Sequence, residues 1–480
     1  MITDRAHLVS PTDPINATRN DGSSGYGTIE EIPQINIKPT RQYIATISAT
    51  TSALASGIVL GWTSPITKEL ENGHFNNIPV NAHEMGWIGS IAVLGALLSS
   101  LIAGKICDKI GRKTTLLFLS IPFGVGWALI LASQSIEVLI LGRFLTGIAA
   151  GGSSISCPLY INEIAQKTIR GKLGSYFQIM VTVGVLYANV FGKILSINYY
   201  TMSCSIIPAI FLLVFLFQPE TPVYYIKSNQ YDMAVNAMRK LRGDQYDPHA
   251  ELREIELSIP TTTISLYTYI FEMRRFAALS IAMLLMVFQQ LSGINAVIFY
   301  TSDIFQSAHV NIDPQISAII ITTIQVLATF TSSLLIDKKG RKPMLIYSLI
   351  AMAASCLLLG VFFTLKTFNP KISNSIGFLP ISSLSVYIIA FSLGMGPIPW
   401  IIPAELFQAD IKGVATSIAG SLNWGLAFLI TKFFLDVKDV VGEDVLFYFF
   451  GIMCFTGVAF VCFKLPETKG KTPEEIQREL

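Results

Sequence analysis

Charge is what this chain has least of. Asp, Glu, Lys and Arg make up 14% of its 480 residues and hydrophobic residues 51%, where an ordinary soluble domain carries about 25% charge. Length alone would allow several soluble domains; the composition excludes them. A formal net charge of +2 is too small for a nucleic-acid surface, and no nucleic acid is expected as a partner. Cysteine is sparse too. Cys107, Cys157, Cys204, Cys356, Cys454 and Cys462 are scattered, mostly in apolar segments, with neither metal spacing nor a disulfide framework, and they read as small hydrophobes. No Gly-x4-Gly-Lys-Ser/Thr loop is present, which excludes a pump driven by ATP. No carboxylate pair, metal cluster or nucleophile-base arrangement suggests an enzyme, and no cofactor or obligate protein partner is expected. Residues 1–42 lack an apolar run and are rich in Ser, Thr, Asn, Pro and Gly, so they are expected to be a disordered tail rather than a cleaved signal.

Long apolar runs, by contrast, fill the chain. Candidate spans lie near 43–65, 85–105, 114–134, 137–158, 172–196, 200–217, 276–302, 315–337, 343–364, 379–407, 411–433 and 444–464, each near the roughly 20 residues that a hydrocarbon core of about 30 Å requires. The chain is therefore read as an all-α polytopic membrane protein. Twelve transmembrane helices fall into two six-helix bundles, 43–217 and 276–464. A cytoplasmic linker, 218–275, with helical runs at 231–241 and 250–257, joins them, and a short tail, 465–480, follows. Lys105, Lys109, Arg112 and Lys113, then Lys167, Arg170 and Lys172, then Lys338, Lys339, Arg341 and Lys342 crowd the short loops of one side, and the positive-inside rule puts that side and both termini in the cytoplasm. The 66–84 loop, with Glu69, Glu71 and Glu84 against Lys68, falls on the other side, as does the net-acidic loop 436–444; the 366–378 loop, with Lys366 and Lys371, goes against the trend.

The two halves repeat one another. Asp108-Lys109-Ile110-Gly111-Arg112-Lys113 returns as Asp337-Lys338-Lys339-Gly340-Arg341-Lys342. Glu163 with Arg170-Gly171 returns as Glu405 with Lys412-Gly413, and Pro219-Glu220-Thr221 as Pro466-Glu467-Thr468. Parallel halves of this kind are a transporter architecture, with substrate bound midway through the bilayer.

These loops, with Gln289-Gln290-Leu291-Ser292-Gly293-Ile294-Asn295, Gly396-Pro397-Ile398-Pro399-Trp400, Asn423-Trp424 and Pro466-Glu467-Thr468-Lys469-Gly470, resemble the sugar-porter branch of the major facilitator superfamily. The run 289–301 and the Pro-Glu-Thr-Pro variant at 219–222 are similar to insect facilitated trehalose and hexose transporters. The resemblance, over about residues 43 to 472, implies the major facilitator fold, a sugar substrate and the plasma membrane.

A sugar offers many hydroxyls and no charge, so its site needs neutral donors and acceptors beside apolar surface. Gln178, Gln289, Gln290, Asn295 and Asn423 are amides in apolar spans, each costly to bury without a partner. They form a candidate sugar cradle, to which the resemblance adds Gln325 at a position commonly held by a sugar-contacting Asn. Gly396, Pro397 and Pro399 predict a break in the tenth span; the resemblance implies that Trp400 and Trp424 stack on sugar or close an inner gate. Asp108, Arg112, Glu163, Arg170, Glu220, Asp337, Arg341, Glu405, Lys412 and Glu467 form a candidate latch that holds the bundles together on the cytoplasmic face. Val223 and Ser392 depart from the family pattern, and Lys412 replaces an arginine, which predicts a weaker second latch. Residues 43–67 contain no carboxylate beside the retained Arg143, so coupling lacks an obvious proton carrier. Facilitated diffusion is the expected mode, with proton symport and sugar sensing as alternatives.

Overall fold

The computed structural model describes residues 39–258, 273–298, 313–369, 376–407 and 411–480. The expected N-terminal tail up to residue 38, residues 259–272 of the linker, residues 370–375 of the exceptional loop and the end of the 289–301 run lie outside the described residues.

Twelve helices are long and apolar enough to cross a membrane. The first six are α1 (Thr40–Gly61), α2 (Ala82–Ile110), α3 (Arg112–Leu131), α4 (Ile136–Ile164), α5 (Arg170–Ile194) and α6 (Ile197–Phe215). Three short helices follow, α7 (Pro222–Lys227), α8 (Tyr231–Arg242) and α9 (His249–Ser258). The second six are α10 (Phe276–Ile298), α11 (Pro314–Lys339), α12 (Arg341–Phe368), α13 (Leu379–Leu406), α14 (Lys412–Val441) and α15 (Glu443–Lys464), and α16 (Pro473–Glu479) follows them.

Local chemistry explains the ends. Asn81 caps α2 in a reciprocal box with Glu84, which satisfies two otherwise orphaned N–H groups. The Gly-Arg-Lys turns that join α2 to α3 and α11 to α12 place Gly111 at φ +98° and Gly340 at φ +89°, a region glycine enters without steric penalty. No side chain would fit there either, because a Cβ on Gly111 would lie 2.3 Å from a Glu220 oxygen and one on Gly340 2.6 Å from Glu467.

Each half packs largely on itself: α4 against α1, α2 and α3 in the first, α12 against α13 and α15 and α10 against α14 in the second. Two seams join the halves, α2 with α14 and α5 with α11. Duplication relates them, since α2 corresponds to α11 and α5 to α14. Outward-facing Leu213, Leu327 and Phe455 are exposed, as expected of surface that meets lipid rather than water.

Two spans are broken in the middle. In α10, Ser292 and Gly293 form a turn with Gly293 at φ +88°, and the freed Ser292 carbonyl accepts from the Tyr387 hydroxyl at 3.0 Å. In α13, a π-turn at Phe391–Met395 precedes Gly396-Pro397, the kind of interruption that often marks a functional site.

Candidate functional site

A cavity of about 110 Å3 lies between the halves, in the kind of place between packed helices where small-molecule sites form. Gln178 reaches it from α5; Gln289, Gln290 and Asn295 from α10; Gln325 from α11; Trp400 from α13; Asn423 and Trp424 from α14. All eight residues of the candidate cradle thus line one space, and among the described residues none that lines it is charged.

Four of the amides bond head to tail. Asn295 Nδ2 donates to Gln290 Oε1 (2.6 Å), Gln290 Nε2 to Asn423 Oδ1 (2.9 Å), and Asn423 Nδ2 to Gln289 Oε1 (2.7 Å). Gln289 Nε2 ends the relay on the carbonyls of Met395 (2.7 Å) and Gly396 (3.1 Å); Pro399, four residues after Met395, has no N–H to offer that carbonyl. The relay therefore fixes amide orientation and braces the break in α13. Gln325 stands apart from it: its Oε1 is buried and has no partner. Ser392, within the π-turn, is also buried with an unpartnered hydroxyl.

The two tryptophans have different surroundings. Trp424 Nε1 donates across the halves to Ser154 Oγ at 3.0 Å. Trp400 packs on Phe177 with ring centres 6.3 Å apart, and both residues also line a smaller space with Asn162, Arg170 and Glu405. They form a partition between the central cavity and the face that carries the Gly-Arg-Lys turns, the basic face.

On that face the charges are paired differently from the expectation. Arg112 is 1% exposed and donates to Glu163 (Nε, 3.0 Å), Asp108 (2.7 Å) and the Cys107 carbonyl (3.1 Å). Arg341 likewise donates to Glu405 at 2.8 Å. Each cluster lies within one half. Glu220 accepts from the backbone N–H groups of Arg112, Lys113, Thr114 and Thr221, and Glu467 from those of Arg341 and Lys342. Both cap the first turn of a helix, where the exposed N–H groups favour an anion, rather than pairing with an arginine side chain. Burial pushes the Glu220 carboxyl up, against the pull of the N–H groups it accepts from. The Asp337 side chain lies outside the described residues.

Contact between the halves comes instead from the second acid-base pair, crosswise. Lys412 of the second half donates to Asn162 Oδ1 of the first at 2.8 Å, with Glu163 as the opposite charge acting on it; it does not bond to Glu405. Arg170 of the first half has Glu405 of the second as its principal opposite charge, and the two line the same space. The physical reason is that Arg112 and Arg341 already hold Glu163 and Glu405 within each half, which leaves Lys412 and Arg170 to meet groups across the seam.

Several contacts were not singled out by motif. Gly104 and Gly413 bring α2 and α14 together so closely that a Cβ on Gly104 would lie 2.1 Å from the Gly413 carbonyl oxygen. Ser417 Oγ accepts from Gly104 N–H (2.8 Å), and Ser100 meets Ser421 (3.0 Å). The glycine that follows the base in Lys412-Gly413 was the available signal. At the opposite face, Lys193 at the end of α5 pairs with Asp313 before α11 at 2.5 Å, Gln315 donates to the Pro65 carbonyl at 2.8 Å, and Lys432 of α14 sits 4.4 Å from the Trp87 ring of α2.

Comparison with known proteins agrees with this architecture. The facilitated trehalose transporter Tret1 of Polypedilum vanderplanki is 37% identical over 443 residues, covering 92% of this chain and 88% of that one. A Tret1-2 homolog of Drosophila simulans is 35% identical over 96% of this chain and 95% of its own. Tret1 of Drosophila mojavensis is 36% identical, but the chain spans about half (51%) of its length. Among solved structures, the proton:xylose symporter XylE bound to 6-bromo-6-deoxy-D-glucose superimposes with a TM-score of 0.78 at 24% identity over 92% of this chain and 99% of that one. The inward-open form of XylE from E. coli gives 0.67, also at 24% identity, over 92% and 99%. The fold is the major facilitator fold, and the protein is a multi-pass membrane protein. With the Sugar (and other) transporter profile matching residues 40–480, the chain belongs to that family.

Proposed function

We propose that the protein is a facilitative sugar carrier that moves a hexose such as glucose, or trehalose, down its gradient by alternating access. In this reading it works in the plasma membrane as a transporter rather than an enzyme, with the basic face cytoplasmic. The observation that carries the reading is the uncharged cavity between the halves, lined by six amides and two tryptophans. Amides satisfy hydroxyls without the desolvation of an ion, and indole surface suits the C–H faces of a sugar ring. Its placement between two duplicated bundles is what alternating access requires. The Trp400–Phe177 partition, with the Lys412–Asn162 bond and the attraction of Arg170 for Glu405 across the seam, would act as the inner gate and its latch.

The uniport mode rests on Arg143. This buried guanidinium donates to the carbonyls of Val59 (2.7 Å) and Ile88 (3.2 Å) and lies 5.3 Å from the Trp62 ring. Among the described residues no Asp or Glu forms an ion pair with it, so no carboxylate beside it is positioned to take up and release a proton. In proteoliposomes, uptake of labelled glucose or trehalose is expected to follow the sugar gradient and to persist when a protonophore collapses an imposed pH gradient. Concentrative uptake driven by that gradient would sink the uniport reading.

The relay yields a second expectation. Gln289→Leu removes the acceptor for Asn423 and the donor to the Met395 and Gly396 carbonyls. At about 1–3 kcal/mol for each buried group left unpaired, sugar flux should fall on the order of ten- to a hundredfold while membrane insertion is retained. Unchanged flux in correctly inserted protein would show that the relay is structural padding.

A further inference from the structure

We infer that Ser332 and Ser348, two serines that do not line the cavity, are positioning residues: from α11 and α12 they serve backbone groups at the break in α13, and so fix where Trp400 closes the partition. The inference rests on the reading of Trp400 and Phe177 as the inner gate, not on which sugar passes it.

A broken helix within a membrane needs hydrogen-bond partners from its neighbours. In an α-helix the Leu393 carbonyl would be served by the residue four positions later, which is Pro397 and has no N–H. Ser332 of α11 donates to it instead, at 2.7 Å. Within the π-turn, Gly396 N–H donates to the Phe391 carbonyl, five residues back, at 2.7 Å. At the preceding pair of that spacing Ser348 Oγ is inserted from α12, where it accepts from Met395 N–H (3.1 Å) and donates to the Ala390 carbonyl (2.7 Å). Its single proton has a weaker alternative in Met352 Sδ at 3.5 Å. With Gln289 on the Met395 and Gly396 carbonyls, α10, α11 and α12 each brace the break by one side chain. The turn's own Ser392 has an unpartnered hydroxyl and takes no part.

Both serines are buried, and α12 lies flush against the turn. A Cβ on Gly394 would be 2.6 Å from the Met344 carbonyl oxygen and 2.6 Å from Ser348 Cβ. Trp400 follows Met395 by five residues, in the segment Ile398–Leu406 beyond the break, so a change of bend moves its ring relative to Phe177. Two nearby serines differ in the partner they choose. Ser333 donates to the Phe330 carbonyl (2.7 Å) and Ser355 to the Ala351 carbonyl (2.9 Å), each within its own helix. They are buried as well, which makes them controls for the loss of a buried hydroxyl as such.

The test uses the full chain in liposomes, without native thiols and with one reporter, Ala150→Cys, in the wall of the central cavity. Labelling by a membrane-impermeant thiol reagent from the basic side reads an open partition. Ser348→Ala and Ser332→Ala, which remove little more than a hydroxyl, should each raise the labelling rate from that side three- to tenfold and change the rate from the opposite side less than twofold. Ser355→Ala and Ser333→Ala should change neither rate by as much as twofold. Trp400→Ala should itself raise labelling from the basic side, and a serine change added to it should raise the rate less than twofold further, because residues that act through one another are not additive.

A variant without the rise would strike that serine from the assignment, and if only one of the two inserts, that one decides. Equal rises from both sides, equal rises in the control serines, or full multiplication on Trp400→Ala would overturn the assignment and leave the gate reading intact. Wild-type labelling in Trp400→Ala would overturn the gate reading, and the assignment with it.

Discussion

Gly104→Val should leave the carrier unable to close its basic face. A Cβ at this position would sit 2.1 Å from the carbonyl oxygen of Gly413 and 2.5 Å from its carbon, and both neighbours are backbone, which has no rotamer by which to move away. Relief requires α2 and α14 to separate, and with them the Ser417 and Ser100–Ser421 contacts of the same seam. Overpacking typically costs about 1–3 kcal/mol even when side chains can adjust, so a bias of tenfold to a hundredfold toward the state open on that face is expected. Cysteine accessibility from each side, measured on a background without native thiols, reads the bias directly. Gly104→Ala should lie between wild type and Val. Wild-type accessibility in the Val variant would mean that the seam yields elsewhere and that its close packing is incidental to closure.

The parts of this design that were readable in the sequence are those set by solvent and backbone geometry. A fixed hydrocarbon thickness dictates span length, so all twelve helices fall where apolar runs predict them. The Gly-Arg-Lys turns were legible because only glycine serves at the positive φ of Gly111 and Gly340. The break near Gly396 was legible because Pro397 and Pro399 bring no N–H to a helix. Pairing was not. Nothing in the spacing of Glu405 and Lys412 shows that they face different neighbours across a helix end, and Asn162, which receives Lys412, carries no motif. Burial demanded partners for Gln289, Gln290, Asn295 and Asn423, yet sequence does not distinguish a sugar hydroxyl from another amide as the partner. The glycine seam was hidden because small residues are frequent at any membrane helix interface.

The second large effect should separate bracing from latching. Arg112→Ala leaves Glu163, 4% exposed, without its guanidinium and, among the described residues, with the Thr221 hydroxyl as its remaining bonded partner. Removing one member of a buried ion pair typically costs about 3–5 kcal/mol. Because Arg112, Asp108 and Glu163 all belong to the first half, that loss should appear in both conformations of the carrier. The expected result is a marked drop in thermal stability in detergent with little change in which face is open. Lys412→Ala removes a contact that crosses the halves, and it should do the reverse: modest loss of stability, increased access from the basic face. Were Arg112→Ala to shift access without loss of stability, the first-half cluster would have to be counted as part of the latch.

The lysines at the opposite face carry a consequence of their own. Each of the duplicated seams ends in a lysine from the fifth spanning helix of one half reaching to the start of the second spanning helix of the other, Lys193 to Asp313 in one seam and Lys432 to the Trp87 ring in the other. One clasp is ion to ion, the other ion to quadrupole. Asp313 is held below the ordinary carboxylate range chiefly by the hydrogen bond from Lys193, so this clasp is intact above the usual range and is lost only as the pH falls through the depressed value. Both of its members are more than a third exposed, within reach of mobile ions whose screening length is about 8 Å at physiological strength. The indole clasp contains no carboxylate for acid to neutralise. Strong acid or high salt applied to this face alone should therefore loosen one seam before the other, so that the protein parts along a single edge, like a book opened from one cover.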